Sequence, residues 1–258
     1  MSTVLRLLTG LAIALLGLFP SAAQTTPPPA PRSNPSLGHL SPPALENELV
    51  NISAAVPTIV IDLRYATTRN ILQRGMYPEG MPALVRPTVA KRLAAAQALL
   101  LEKGFRLKIW DAYRPKAAHE LLWAFAQNNH YVANPADGIG SLHTWGVAVD
   151  ATLVDLEGRD VPMPTDFDAF TPDASMHYHG SDPIVRQNLF TLQRAMGRAG
   201  FLGLSMEWWH FVAPDWKKYK PIPGVPVFAL PLSQIFPALS RSAIAKEYQL
   251  RRDKGGSL

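Results

Sequence analysis

The sequence predicts an α+β fold, with helices packed on a mainly antiparallel sheet in a single domain, and three observations carry that prediction. Strand and helix signals do not alternate in the regular order of a parallel doubly wound sheet. A hairpin signal, DLEGRD running into VPM, sits in the middle of the chain. The 258 residues are 47% hydrophobic and 17% charged, enough apolar material for one substantial core.

Each element has its own signal. From Thr58 the segment TIVIDLRY is dense in β-branched residues and reads as a strand. Pro87 opens a helix through TVAKRLAAAQALLLEK that stops at Gly104, and the alternating FRLKIWDA follows as a second strand. Pro115 opens the helix KAAHELLWAFAQNN, which gives way to a polar loop with Asn134, Pro135, Gly138 and Gly140. GVAVDATL is the next strand, PIVRQNLFTLQRAMGRA a helix stopped by Gly200, and EWWHFVA the last strand.

The ends differ in character from this middle. Residues 1–23 carry one Arg, an apolar run and then Pro20, Ser21, Ala22 and Ala23, the layout of a secretory signal peptide cleaved after Ala23. The apolar run is shorter than the ~20 residues of a spanning helix, so a retained membrane anchor is the minor alternative, no stable membrane span is expected after cleavage, and the expected destination is the periplasm. Residues 24–43 are a proline-rich linker, 44–221 the folded domain, and 222–258 an extended apolar strap with a basic end. The net charge of +5 is spread along the chain, which argues against a nucleic-acid partner. No cysteine is present, so disulfides, thiol nucleophiles and thiolate ligands are excluded, and any metal must be held by His and carboxylates.

Three side chains from two segments suit such a metal: His143 and Asp150 in SLHTWGVAVD, and His210 in EWWH. Two imidazoles and a carboxylate leave one position open on zinc, as a catalytic site requires. Positions seven apart on a regular strand point to opposite faces, so His143 is expected to precede the strand, with a bend at Gly146. Glu207 and His210, three apart, require a bulge or twist near Trp208 for the same reason. Taken singly, each of these His residues reads as a hydrogen-bonded core residue.

Taken together, Ser141, His143, Gly146, Ala148 and Asp150, followed by Glu207 and His210, resemble the motif of the VanX-type D-alanyl-D-alanine dipeptidases. The likeness covers about Asp62 to Phe211 and includes DLRYAT around Tyr65, WDAYRP around Arg114 and VPMPTDFD ending at Asp168. It implies one zinc ion on His143, Asp150 and His210, with Glu207 beside it as general base. It further implies Arg114 as the stabiliser of the oxyanion, Asp168 as the partner of the substrate ammonium, and Ser141 and Tyr65 as substrate contacts, with Tyr77 a weaker candidate. Alone, Arg114 would pair with a neighbour such as Asp111, and Asp168 would be a turn residue.

The resemblance implies a small dipeptide as substrate. A zinc D,D-carboxypeptidase acting on longer peptides and a non-catalytic zinc module recognising wall peptides are the alternatives. His39, His119, His130, His177 and His179 stand outside the motif, and the last two are expected in an exposed loop. Trp208 and Trp209 are expected to wall the site. The loop from Asn128 to Gly140 is expected to shape its mouth, and Trp145, bulky for a residue so near the metal, to leave the chemistry intact and bear on substrate preference.

Overall fold

The computed structural model describes residues 49–223. The signal-peptide and linker expectations and nearly all of the expected tail strap lie outside the described residues. A two-stranded sheet pairs β1 (Val50–Asn51) with β3 (Leu84–Val85). A five-stranded sheet has the order β2 (Val60–Ile61), β4 (Phe105–Asp111), β5 (Ala148–Asp155), β7 (Glu207–Val212), β6 (Leu202–Leu204). Within it only the β2–β4 pair is parallel, so the α+β, mainly antiparallel prediction holds.

Among the described residues four α-helices accompany the sheets: α1 (Ile52–Ala55), α2 (Pro87–Leu101), α3 (Lys116–Ala126) and α4 (Pro183–Arg198). The proline signals were accurate guides. Pro87 and Pro183 open α2 and α4, Pro115 sits at the N-cap of α3, and Asp182 caps α4 by accepting from the Ile184 and Val185 N–H groups. The stops at Gly104 (φ 80°) and Gly200 (φ 86°) are left-handed positions that glycine adopts without steric penalty.

Helix α2 buries Val89, Leu93, Ala96 and Leu100 at helical spacing and packs on α4 and β4. One polar residue joins that face: Gln97 donates to Thr58 O at 3.1 Å and accepts from the Leu107 N–H at 2.8 Å, so its buried amide is satisfied by the backbone of β4 and of the segment before β2. A second, aromatic part of the core surrounds Trp110, whose ring lies 5.6 Å from both Phe167 and Trp208 and 6.5 Å from Trp209.

Two expectations need correction. TIVIDLRY forms a strand only at Val60–Ile61, after which Arg64–Ala66 make a 3₁₀ turn. There the Arg64 guanidinium bonds Asp62 and Asp166 and lies over Trp110, while Asn70 donates to the carbonyls of Arg64, Thr67 and Arg74. These side-chain ties close the segment into a loop against its β propensity. The DLEGRD turn does form, with Gly158 at φ 85°, but the returning strand shrinks to a single bridge between Val154 and Asp160. Short β6, exposed along its length, gave no signal in the sequence.

Candidate metal centre and active site

His143 stands just before β5, as its spacing required. Ser141 caps the 3₁₀ turn Leu142–Trp145 by accepting from the His143 N–H at 3.3 Å, and Gly146 closes it at φ 70°. A Cβ on Gly146 would come within 2.7 Å of Leu49 Cδ2, the movable end of a side chain, so it is the left-handed backbone that demands glycine there. His143 is buried, and its Nδ1 lies 2.8 Å from Ala112 O. A carbonyl only accepts, so Nδ1 carries the proton and the Nε2 lone pair faces the site.

Asp150 and His210 are direct partners in the β5–β7 ladder, and directly opposed residues share a face. His210 Nδ1 is 2.9 Å from Asp150 Oδ1 and 3.2 Å from His143 Nε2, and Asp150 Oδ1 is 3.3 Å from His143 Nε2. A tetrahedral ion with bonds of ~2.0–2.1 Å has ligand–ligand edges of about 3.3 Å. The three donor atoms therefore match one face of a zinc coordination shell and leave its fourth corner to the cavity.

The electrostatics suit a cation. Burial works to raise the Asp150 carboxyl, but His143 and His210 beside it outweigh burial and hold it below the usual range. Burial lowers His210, favouring the neutral ring that ligates. Burial also opposes charge on His143, but Asp150 overrides it and lifts His143 above its usual value. A cation entering the triad therefore competes with a proton for these donors.

The expected irregularity in β7 is present. Pairing with β6 jumps from Gly203↔Phe211 to Leu204↔Glu207, and the intervening bulge around Trp208 brings Glu207 and His210 to one side. Glu207 Oε2 lies 3.8 Å from His210 Nδ1, next to the donor triad and outside it. Burial, with the Asp150 and Asp168 charges, pushes the Glu207 carboxyl well above its ordinary range. A divalent ion in the triad opposes that shift.

A second bulge, which the sequence did not announce, lies in β4. Pairing passes from Ile109↔Ala151 to Asp111↔Asp150, leaving Trp110 unmatched and setting Asp111, Asp150 and His210 in a row across three strands. Asp111 is fully buried and accepts from Arg114 Nε at 2.9 Å and Nη2 at 2.8 Å, from the Tyr77 hydroxyl, and from the Ala112 N–H at 2.9 Å. Arg114 Nη2 also lies 3.7 Å from Asp150 Oδ2, and the guanidinium sits 4.7 Å over the Tyr65 ring.

Asp168 faces this cation from the opposite loop at φ 56°, a strained conformation for a residue with a side chain. Its Oδ1 accepts from the Tyr65 hydroxyl at 2.9 Å and its Oδ2 from the Ile71 N–H at 3.3 Å. Burial raises its pKa to about 7.

Eight of the nine candidate site residues named from the sequence, Tyr65, Arg114, Ser141, His143, Asp150, Asp168, Glu207 and His210, line one cavity of about 220 Å³. Tyr77 does not: its hydroxyl is committed to Asp111 behind Arg114. The 128–140 loop contributes Tyr131, Val132, Ala133 and Gly140 to the lining, and Trp209 walls the cavity as expected. Trp208 does not reach it and donates to Thr165 Oγ1 at 2.9 Å. Trp145 is also turned away, donating to Ile139 O at 3.0 Å and packing on Trp216. His177 and His179 are exposed, as expected.

The expected pairing of Arg114 with Asp111 is present, and sequence reasoning missed two supporting residues. Asn70 organises the loop that presents Tyr65 and the Ile71 N–H to Asp168, and gave no signal. His119, set aside as outside the motif, lines the cavity.

Residues 45–227 match the Peptidase_M15 family, described as D-ala-D-ala dipeptidase. The chain is 33% identical over 175 residues to a D-alanyl-D-alanine dipeptidase of Escherichia coli K12, covering 67% of this chain and 88% of that one. It is 32% identical over 178 residues to one of Enterococcus faecium, covering 60% and 85%. A dipeptidase of Enterococcus faecalis is 28% identical over 195 residues, covering 66% and 94%. With the family match spanning most of the chain and running through every residue of the cavity triad, the protein belongs to the M15 family of zinc-dependent dipeptidases.

Proposed function

We propose that the protein hydrolyses D-alanyl-D-alanine to two molecules of D-alanine, holding one zinc ion on His143, Asp150 and His210 and using Glu207 as general base. The observation that carries this reading is the convergence of three donor atoms within 2.9–3.3 Å, with the Glu207 carboxylate beside them. When bound, zinc supplies a Lewis acid and makes a coordinated water acidic enough to attack at neutral pH.

The chain's own groups do the rest. Glu207 takes the proton of the attacking water at a carboxylate oxygen and passes it to the amine that leaves as the C–N bond breaks. Arg114, charged and turned into the cavity, meets the negative charge that develops on the carbonyl oxygen, in surroundings where little water screens it. Asp168 pairs with the substrate ammonium, oriented for this by Tyr65 and the Ile71 N–H. Ser141 offers its hydroxyl at the cavity wall. The layout of residues 1–23 supports export, with turnover of wall-derived dipeptides in the periplasm as the setting.

The buried acid at Asp168 favours a free ammonium over an acylated one, and so a dipeptidase over a D,D-carboxypeptidase. The test is turnover by the zinc-loaded protein of D-Ala-D-Ala against its N-acetyl form. Cleavage of the free dipeptide alone is expected. Preference for the acetylated form would overturn the reading, and recovery of the mature protein from cytosol on fractionation would overturn the export.

A further inference from the structure

We propose that His119 is a positioning residue for the hydrolysis, a neutral imidazole that ties the Arg114 guanidinium to the loop forming the cavity mouth. This rests on the role proposed above for Arg114. His119 is 2% exposed on the inner face of α3, and both of its ring nitrogens are engaged. Nδ1 lies 3.4 Å from Arg114 Nη1, and Nε2 lies 2.8 Å from Ala133 O.

The two partners dictate the tautomer. A guanidinium only donates and a carbonyl only accepts, so Nδ1 is the lone pair and Nε2 carries the proton. A charged ring would face Arg114 with like charge, and burial together with that charge lowers His119 to about 3. The ring is therefore neutral near pH 7.

Neutrality gives the arrangement its use. Asp111 holds the guanidinium by Nε and Nη2, fixing one edge, and His119 holds it from Nη1. A carboxylate in place of His119 would add to Asp111 and Asp150 and further offset the positive charge that the substrate oxyanion has to meet. An uncharged acceptor fixes the plane and leaves the charge available. On its far side the same ring anchors Ala133, next to Tyr131 and Val132, which line the cavity. Cation and mouth loop are thereby set by one side chain.

Two substitutions in the full chain separate these links, because an Asn amide overlies the Nδ1 position of His and a Gln amide the Nε2 position. His119→Gln keeps a donor for Ala133 and loses the acceptor for Arg114. We expect kcat on D-Ala-D-Ala to fall by about tenfold or more with KM little changed, the pattern of an interaction lost in the transition state. His119→Asn keeps the acceptor and frees the loop, so KM is expected to rise several-fold with kcat within about threefold of wild type. Zinc content should stay at the wild-type level in both. The His119 ring in the nitrogen NMR spectrum should show the Nε2–H tautomer near pH 7. Wild-type kcat in His119→Gln, or a protonated ring, would overturn the inference. Arg114→Lys separates the two layers: full turnover there removes the proposed role of Arg114 itself, whereas lost turnover with an unimpaired His119→Gln removes only the role of His119.

Discussion

Asp150 and His210 oppose each other across the β5–β7 ladder with Oδ1 and Nδ1 2.9 Å apart, so two donors of the candidate metal triad are positioned by a strand pair. The third, His143, is positioned by a turn that a glycine closes. Because these donors converge only in the folded chain, metal binding is linked to folding. Chelation should lower the melting temperature and zinc should restore it, a stabilisation of about 4 kcal/mol at a free zinc concentration 1,000 times Kd. In Asp150→Ala and His210→Ala the melting temperature should no longer respond to zinc, and zinc analysis by mass spectrometry should find less than one ion per chain.

Asp111 touches no donor atom of the triad directed at the metal, yet it holds Arg114 through two nitrogens and lies 3.3 Å from His143 Nδ1. Asp111→Ala leaves a buried guanidinium without its main partner, a change that destabilises by about 3–5 kcal/mol. Its zinc affinity should fall by roughly 10–100-fold, the usual effect of losing an outer-shell partner of a ligand. Denaturant unfolding and zinc titration of the same variant measure the two effects separately.

How much of this was legible depends on the range of the interaction concerned. The helices were readable because Pro87, Pro115, Pro183, Gly104 and Gly200 are local signals whose backbone demands survive in any fold. The bulge near Trp208 was readable because Glu207 and His210 could not otherwise share a face. The β4 bulge at Trp110 was not: nothing local demands it, and it is defined only by the pairing of Asp111 with Asp150. TIVIDLRY misled for a related reason. Its β-branched residues favour a strand, but contacts of Arg64 with Asp166 and Trp110, both distant in sequence, bend the chain after Ile61. His119 was passed over because a motif defines ligands and leaves unspecified the neutral groups that hold them.

Gly146 tests the turn that delivers His143. Alanine there would occupy φ 70° and place its Cβ 2.7 Å from Leu49 Cδ2 and 3.5 Å from Ile222 Cδ1. The left-handed conformation alone costs about 1–2 kcal/mol for a residue with a side chain, and the contact with Leu49 adds to it. Gly146→Ala is therefore expected to lower stability by about 2 kcal/mol or more. It should also weaken zinc binding, because the same turn sets the height of His143 above β5. A variant with unchanged zinc affinity and unchanged melting temperature would show that the turn tolerates both strains.

Asp168 gives the pH dependence. Burial raises its pKa to about 7 in the folded protein, against about 3.9 in an unfolded chain. Between those values the folded state holds the proton that the unfolded state has released, so the contribution of Asp168 to stability falls as pH rises from about 4 to about 7. Asp168→Asn cannot ionise. In metal-free protein its stability relative to wild type should therefore grow across that window, by up to about 4 kcal/mol for a shift of about three units. Substrate binding runs the other way. Pairing with an ammonium requires the carboxylate, so wild-type kcat/KM on D-Ala-D-Ala should rise with pH as Asp168 ionises, while Asp168→Asn should show a raised KM and lose that part of the rise, keeping the part due to Glu207. Parallel melting and kinetic profiles from pH 5 to pH 8 test both signs, and a wild-type kcat/KM that is flat across neutrality would remove Asp168 from the recognition of the ammonium.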